Sequence, residues 1–545
     1  MNKVYKIVVI IVVLMVSVGV SMGLSFGEAV AEKSVLRYTQ AFPTNIDPAI
    51  GEDFSSTRAL TVLYDTLVYP DEKGAPQPCI AKKWESSSDG KTWTFQLRSG
   101  IKFHDMTELT AKDVKFSMDR LITMGGGYAF LFVERIVSAE VVDDYTVRIH
   151  LKEPFGPFPY TLYRLYIVNK DLVTSNIKKP GPYGEHGDYG TEFLVTHDAG
   201  SGPYMVEQFR LEEYLLMKKF SNYWGRVAPN APDEVKLIGT TEPVTVRTLM
   251  SRRELEISDQ WQSLEALTAL DKIKGVDIAK VPVGGMFYYM MNTKKPPLDD
   301  IHFRKAIAWA VDYDTVRNTI FPGFNQARGP IPHELPGFDP TVLQYHFDLT
   351  KALEELKRSK YFGKLDQYPV ELHWVSEVPD EEKIALLIQA DLDKIGINAK
   401  VIRDPWMVVV EYMARQETSP HLIIMSISAD YPETGALLTS KYAPESASSV
   451  NQNEWLLDPK YDAMLKDALS TLNTEERYAK YAKLQHYIVD LCPTIFLVDT
   501  PSMHAYQSTY IDWPAARGEG IPVIGYELDA RWIEVYPDKR AELLK

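Results

Sequence analysis

The 545-residue sequence predicts an α/β protein, and three observations carry that prediction. The run Leu422–Ser428, LIIMSIS, is largely apolar, as a central parallel strand covered on both faces requires. Residues 91–98 alternate strictly, with Trp93, Phe95 and Leu97 on one face, which predicts a half-buried strand. Between such segments lie helical patterns. Phe303, Ala306, Ile307, Ala310 and Val311 repeat at i, i+3, i+4, i+7 and i+8, and Ile384, Ile388, Leu392 and Ile395 form a second stripe that Gly396 closes. Buried strands alternating with helices mean sheets layered with helices.

The elements follow in order. Residues 36–40 open as a strand, then a loop carries Pro43, Asp47 and Pro48. Residues 56–67 are predicted as a helix, with Ala59, Leu63 and Leu67 on one face and Leu60 and Tyr64 broadening it. Asp89-Gly90 is a tight-turn dipeptide. Thr110 caps the next helix with Asp113 in the capping-box position, and Val114, Met118, Leu121 and Ile122 line its inner face. Asp143-Asp144 turns between strands at 137–142 and 146–151. Residues 179–198 are loop-rich. Further on come a buried strand at 287–292, a helix capped by Asp299 or Asp300, and a strand at 398–402. Two amphipathic helices follow near 461–469 and 475–491.

Length allows about three domain-sized units of roughly 150 residues. A net charge of −15 argues against a nucleic-acid role, because phosphate binding requires a basic face. Lys3 and Lys6 precede a charge-free run at 7–26, and Ala29-Val30-Ala31 follows as a small-x-small site. That is the layout of a secretory signal peptide cleaved after Ala31; uncleaved, the run is long enough to anchor the chain in a membrane. The two cysteines, Cys79 and Cys492, are read as buried thiols by default, with a bridge as the alternative.

The wording of residues 80–121, IAKKWESSSDGKTWTFQLRSGIKFHDMTELTAKDVKFSMDRL, resembles the signature of the peptide/nickel class of extracellular solute-binding proteins that serve ABC transporters. Met106 stands where that pattern has Gly. The likeness continues through "PTNIDP", "GSGPY", "NYWG" and "PPLDDIHFRKAIAWAVDYD", while Arg253-Glu254-Leu255-Glu256 departs from the usual "G-E-(I/V)-D". The resemblance covers the chain from residue 32 onward. It implies two lobes joined by a hinge: lobe I at 32–79, 194–284 and 503–545, a subdomain at 80–193 inserted in it, and lobe II at 285–502. It also implies a binding role: a small peptide held in the inter-lobe cleft by a monomer and delivered to a membrane permease. The alternatives are an oligosaccharide or metal-chelate ligand on the same fold, or a ligand sensor.

Catalytic patterns were sought and none stands out. There is no G-x-x-x-x-G-K-(S/T), H-E-x-x-H or G-x-S-x-G, the 11 histidines show no metal-ligand spacing, and no cofactor is expected. A peptide cleft needs an anion for the α-ammonium and a cation or dipole for the carboxylate. Asp430 follows the buried strand at its C-terminal end, where ligands of open α/β sheets collect. Ala429-Asp430-Tyr431 is similar to the "(A/G)-D-(Y/N)" of peptide binders, although Ile427 and Ile424 stand where those proteins place Trp and Arg. Trp406 resembles the Trp that packs on ligand side chains, and Arg415 an Arg that meets the ligand carboxylate. Glu52, Asp53 and Ser55 follow the "DP" loop where members contact ligand, and Tyr128 is a further candidate.

Overall fold

Three sheets organise the chain. The computed structural model describes residues 33–43, 45–376, 378–447 and 449–545; the expected signal peptide and its cleavage site lie outside them. In the first sheet Val35–Gln40 pairs in parallel with Glu234–Gly239, and Tyr214–Lys219 and Tyr204–Arg210 continue it antiparallel. The second is an antiparallel sheet in the order Ala81–Ser86, Thr92–Leu97, Thr146–Leu151, Ile136–Asp143. The helix Ala111–Met124 packs against it, and its Thr110–Asp113 capping box is present as the sequence predicts. Trp93, Phe95 and Leu97 enter the core.

The third sheet runs Ala399–Asp404, Val370–Val375, Leu422–Ser428, Asp277–Met291, Thr494–Tyr506. Leu422–Ser428 is central, as expected, but only one neighbour is parallel; the long strand Asp277–Met291 pairs with it antiparallel. The sheet is therefore mixed. The strand expected at 287–292 is the end of that long strand and stops at Met291; the first half escaped the sequence reading because Pro282 and Gly284-Gly285 interrupt the pattern. The register between the two long strands breaks between Val281 and Gly285, where Pro282 offers no ladder donor and Gly284 adopts φ +62°. Beyond the break the pair runs on toward the first sheet: Tyr506 bridges Ile257, which bridges Tyr38. Two strands thus carry the chain between its two lobes.

Several expectations need correction or sharpening. The predicted helix at 56–67 is Phe54–Leu63, and Tyr64 is already extended. It stops because the Gly200–Pro203 loop closes its end: Gly202 donates its amide to the Leu63 carbonyl at 3.1 Å. A Cβ on Gly200 would lie 1.9 Å from that same oxygen, so the glycines of "GSGPY" serve close backbone approach. Asp300, not Asp299, caps Ile301–Ala310. Cys79 and Cys492 are both free and buried.

Both places where the sequence departs from a glycine keep the backbone a glycine favours. Met106 has φ +72° and Arg253 φ +59°. Arg253 is held there: its guanidinium donates to Gln507 and the Lys274 carbonyl, and Arg540 Nη2 donates to the Arg253 carbonyl at 2.7 Å. Met106 is half-exposed; its amide donates to the Phe103 carbonyl at 2.9 Å and its sulfur accepts from Asn222. Met106→Gly is expected to stabilise the protein by about 0.5–1 kcal/mol, the left-handed strain less the added chain entropy. A urea midpoint below that of the parent protein would overturn this.

Candidate functional site

The strand Leu422–Ser428 becomes less buried as it ends, from wholly buried Leu422 to half-buried Ser428, and Asp430 stands just beyond it. The segment after the strand is pinned from below. Glu433, buried, takes a 2.6 Å bond from Arg477 Nε and a 3.2 Å bond from Tyr481 Oη. Thr434 Oγ1 donates to the Pro336 carbonyl at 2.6 Å. Tyr431 is buried in the same support, and burial raises its phenol pKa well above the usual range. With its neighbours fixed, Asp430 has little freedom to relax.

Near it lies the start of the helix Phe54–Leu63, since the Asp430 charge acts on Glu52. Asp53 is the N-cap, accepting from the Ser55 and Ser56 amides at 3.0 Å each, so its carboxylate already serves the helix. Ser55 is 4% exposed. Glu52, one residue earlier, is exposed. Its carbonyl takes bonds from Tyr128 Oη at 3.2 Å and Thr57 Oγ1 at 3.3 Å, which fix the backbone that carries the exposed side chain. Tyr128 is buried and acts as this brace.

Arg164 joins the two sides. Its guanidinium carbon lies 4.7 Å from the Tyr128 ring centre, Nε donates to the Asp430 carbonyl at 2.8 Å, and Nη1 donates to the Ile524 carbonyl at 3.0 Å. The Gly156 amide makes another bond between distant parts of the chain, to the Leu469 carbonyl at 2.8 Å. Arg164 was not singled out from the sequence. Its signal was there: a lone charge inside the apolar-aromatic run 160–168, where a buried cation must find partners.

The electrostatics centre on two carboxylates. Among the described residues, no hydrogen-bond donor reaches the side-chain carboxylate of Asp430 or of Glu52. Burial pushes the Asp430 carboxyl up to about 6, against the pull of the Arg164 guanidinium. Glu52 is raised as well, first by burial and then by the nearby charges of Asp430 and Asp53. The Asp430 charge is thus near enough to Glu52 to be felt there, and neither carboxylate has a donor among the described residues.

Trp406 stands at the same rim. It opens the helix Trp406–Met413, two residues past Asp404, on a strand parallel to Val370–Val375 and two strand spacings, about 10 Å, from Leu422–Ser428. It is 36% exposed. Arg415 does not join it. The Arg415 carbonyl bonds the Ser419 amide at 3.0 Å, before the start of Leu422–Ser428, and that seven-residue strand puts roughly 23 Å between its ends. The topology therefore places the Arg415 backbone toward the opposite end of that strand from Asp430.

Residues 75–449 match the family described as bacterial extracellular solute-binding proteins, family 5 Middle. A probable D,D-dipeptide-binding periplasmic protein of Escherichia coli K12 is 29% identical over 466 residues, covering 84% of this chain and 86% of that protein. A dipeptide-binding protein of the same organism is 27% identical over 503 residues, covering 86% and 90%. Among solved structures, the periplasmic binding protein DppA of Helicobacter pylori, in complex with the peptide STSA, superposes with a TM-score of 0.75 at 24% identity over 92% of this chain and 98% of that one. That likeness carries the fold.

Proposed function

The chain belongs to the bacterial extracellular solute-binding proteins, family 5, and we propose that it captures a small peptide by its free α-ammonium between the two lobes and delivers it to an ABC-importer permease. One observation carries this reading: Asp430 presents a carboxylate without a donor at the cleft rim, with Glu52 opposite. A peptide ammonium supplies up to three donors and one positive charge to such a pair. Trp406 offers an apolar face for a side chain. Members of this family bind solute rather than transform it, and energy for transport comes from the importer's ATPase.

In this reading, lobe I comprises 32–79, 194–284 and 503–545, with 80–193 inserted in it, and lobe II is 285–502. The register break at Val281–Gly285 absorbs the closing rotation, and Arg164 latches the closed state through the Asp430 carbonyl. The protein works as an exported monomer, released after Ala31 or held by an uncleaved leader.

Thermal-shift titration separates this reading from its rivals. Ligand at a hundredfold excess over Kd stabilises the folded state by about 2.7 kcal/mol. Di- to pentapeptides with free amines are expected to raise the midpoint, while their N-acetylated forms and oligosaccharides do not. Equal shifts from acetylated peptides, or shifts from sugars alone, would overturn it. Mass spectrometry of the co-purifying ligand gives an independent answer.

The site also dictates a pH profile. In the ligand-free protein Asp430 takes up a proton below about pH 6. An ammonium binds the ionised form, so binding expels that proton. Affinity is expected to be level above pH 6 and to fall about tenfold per unit below it. Calorimetry near pH 6 in buffers of different ionisation heat should detect the released proton. A flat profile from pH 7 to 5 would exclude Asp430 as the anchor.

A further inference from the structure

The loop 329–337, GPIPHELPG, is stiffened by Pro330, Pro332 and Pro336 and folds back on the long strand Thr494–Tyr506. The contact is polar. The Asp499 amide donates to the Asn325 carbonyl at 2.9 Å, and the His333 amide reaches Asp499 Oδ2 at 3.3 Å. The His333 ring lies between two carboxylates, with Nδ1 2.7 Å from Asp499 Oδ2 and Nε2 3.2 Å from Glu334 Oε1. The Asn325 side-chain amide stands 2.9 Å from Nε2 and fixes the ring's orientation. Ligand atoms of His333, Glu334 and Asp499, one from each, lie within 4.8 Å of one another. Asp499 is 4% exposed, and its Oδ1 is buried without a hydrogen-bond partner.

We propose that His333, Glu334 and Asp499 form a site for one divalent transition-metal ion. The charge balance favours a dication over a proton. With a protonated His333 the cluster keeps a net charge of −1, and Asp499 Oδ1 stays bare in a buried position, which is costly. With a neutral His333 and a dication the charges cancel, and Oδ1 gains a partner. One imidazole with two carboxylates and no thiolate suits Zn²⁺, Mn²⁺ or Ni²⁺, with water completing the shell. Histidine spacing alone does not reveal this site, because Asp499 lies far along the chain from His333-Glu334 and only the fold brings them together.

The position gives the ion a consequence. Asp499 pairs with Met286, next to the register break, and a Cβ on Gly284 would lie 2.8 Å from Leu335. From the same loop, the Pro336 carbonyl holds Thr434. A bound ion therefore ties the hinge strand to the segment that carries Asp430. The proposal stands on its own geometry and does not depend on which ligand the cleft takes.

The test is ZnCl₂ titration of the full chain after EDTA stripping, read by calorimetry and native mass spectrometry. One ion per chain is expected, with affinity reduced at least tenfold in His333→Gln and in Asp499→Asn. His333 is solvent-exposed, so His333→Gln stays folded and decides the matter if Asp499→Asn does not fold. Absence of one-to-one binding, or binding that His333→Gln leaves within twofold, would overturn the proposal.

Discussion

Asp430→Asn is expected to weaken binding of a free-amine peptide by about 3 kcal/mol, roughly 150-fold, while making the ligand-free protein more stable. The first effect follows from removing one partner of a desolvated charge pair, whose cost runs from about 2 to 5 kcal/mol. The second follows from the state of the carboxylate before ligand arrives. It is partly buried, receives no donor among the described residues and lies near Glu52, so the ligand-free protein holds it at a cost that its raised pKa records. A carboxyl raised from an unfolded value near 3.9 to about 6 makes the folded state bind more protons than the unfolded state across that interval. Ligand-free stability should then increase as pH falls from 7 toward 4, and Asp430→Asn should flatten that part of the profile. Calorimetry with peptide and thermal unfolding without it report the two effects separately. Lost binding with unchanged apo stability would mean the carboxylate is better solvated than its surroundings suggest. Unchanged binding would remove Asp430 from the ligand altogether.

That opposition between stability and binding explains why the fold was easier to read than the site. Helix stripes, the capping box at Thr110 and the apolar run Leu422–Ser428 are local patterns, and their structural meaning is fixed within a few residues. Met106 and Arg253 illustrate the strength of the surrounding context, since both hold left-handed backbone although the sequence offers no glycine. The site is a matter of pairing across the chain. Glu52 and Asp430 were nameable from neighbouring motifs, but only the fold brings their charges near each other while Asp53 is spent on a helix cap. Arg415 has the chemistry for a carboxylate, but its distance from Asp430 along the strand is set by the fold and not by spacing in the sequence. Arg164 contributes through the Asp430 backbone carbonyl, and no spacing rule predicts a bond between residues so far apart in sequence.

Asp47→Ala is expected to destabilise the protein by about 3–5 kcal/mol, and the reason lies more in what it leaves behind than in what it removes. Asp47 and Arg120 form a two-pronged ion pair with distances of 2.6 and 2.5 Å, and both side chains are buried. Asp47 also organises the loop ahead of Glu52: its Oδ1 takes the Ala49 amide at 3.0 Å, and its carbonyl takes the amides of Ile50 and Gly51. Arg120 in turn donates Nε to the Tyr189 carbonyl, tying the inserted segment to that loop. Truncating Asp47 strands a buried guanidinium, and stranded charge is the large term. The double variant Asp47→Ala/Arg120→Met should therefore be more stable than Asp47→Ala alone, recovering a substantial part of the loss in urea unfolding, because it removes the unpaired cation. Simple addition of two losses would mean instead that the loop's hydrogen bonds dominate. Peptide affinity distinguishes the roles further. If the pair serves to place Glu52, the double variant recovers stability but not affinity, since the loop has still lost the side chain that folds it.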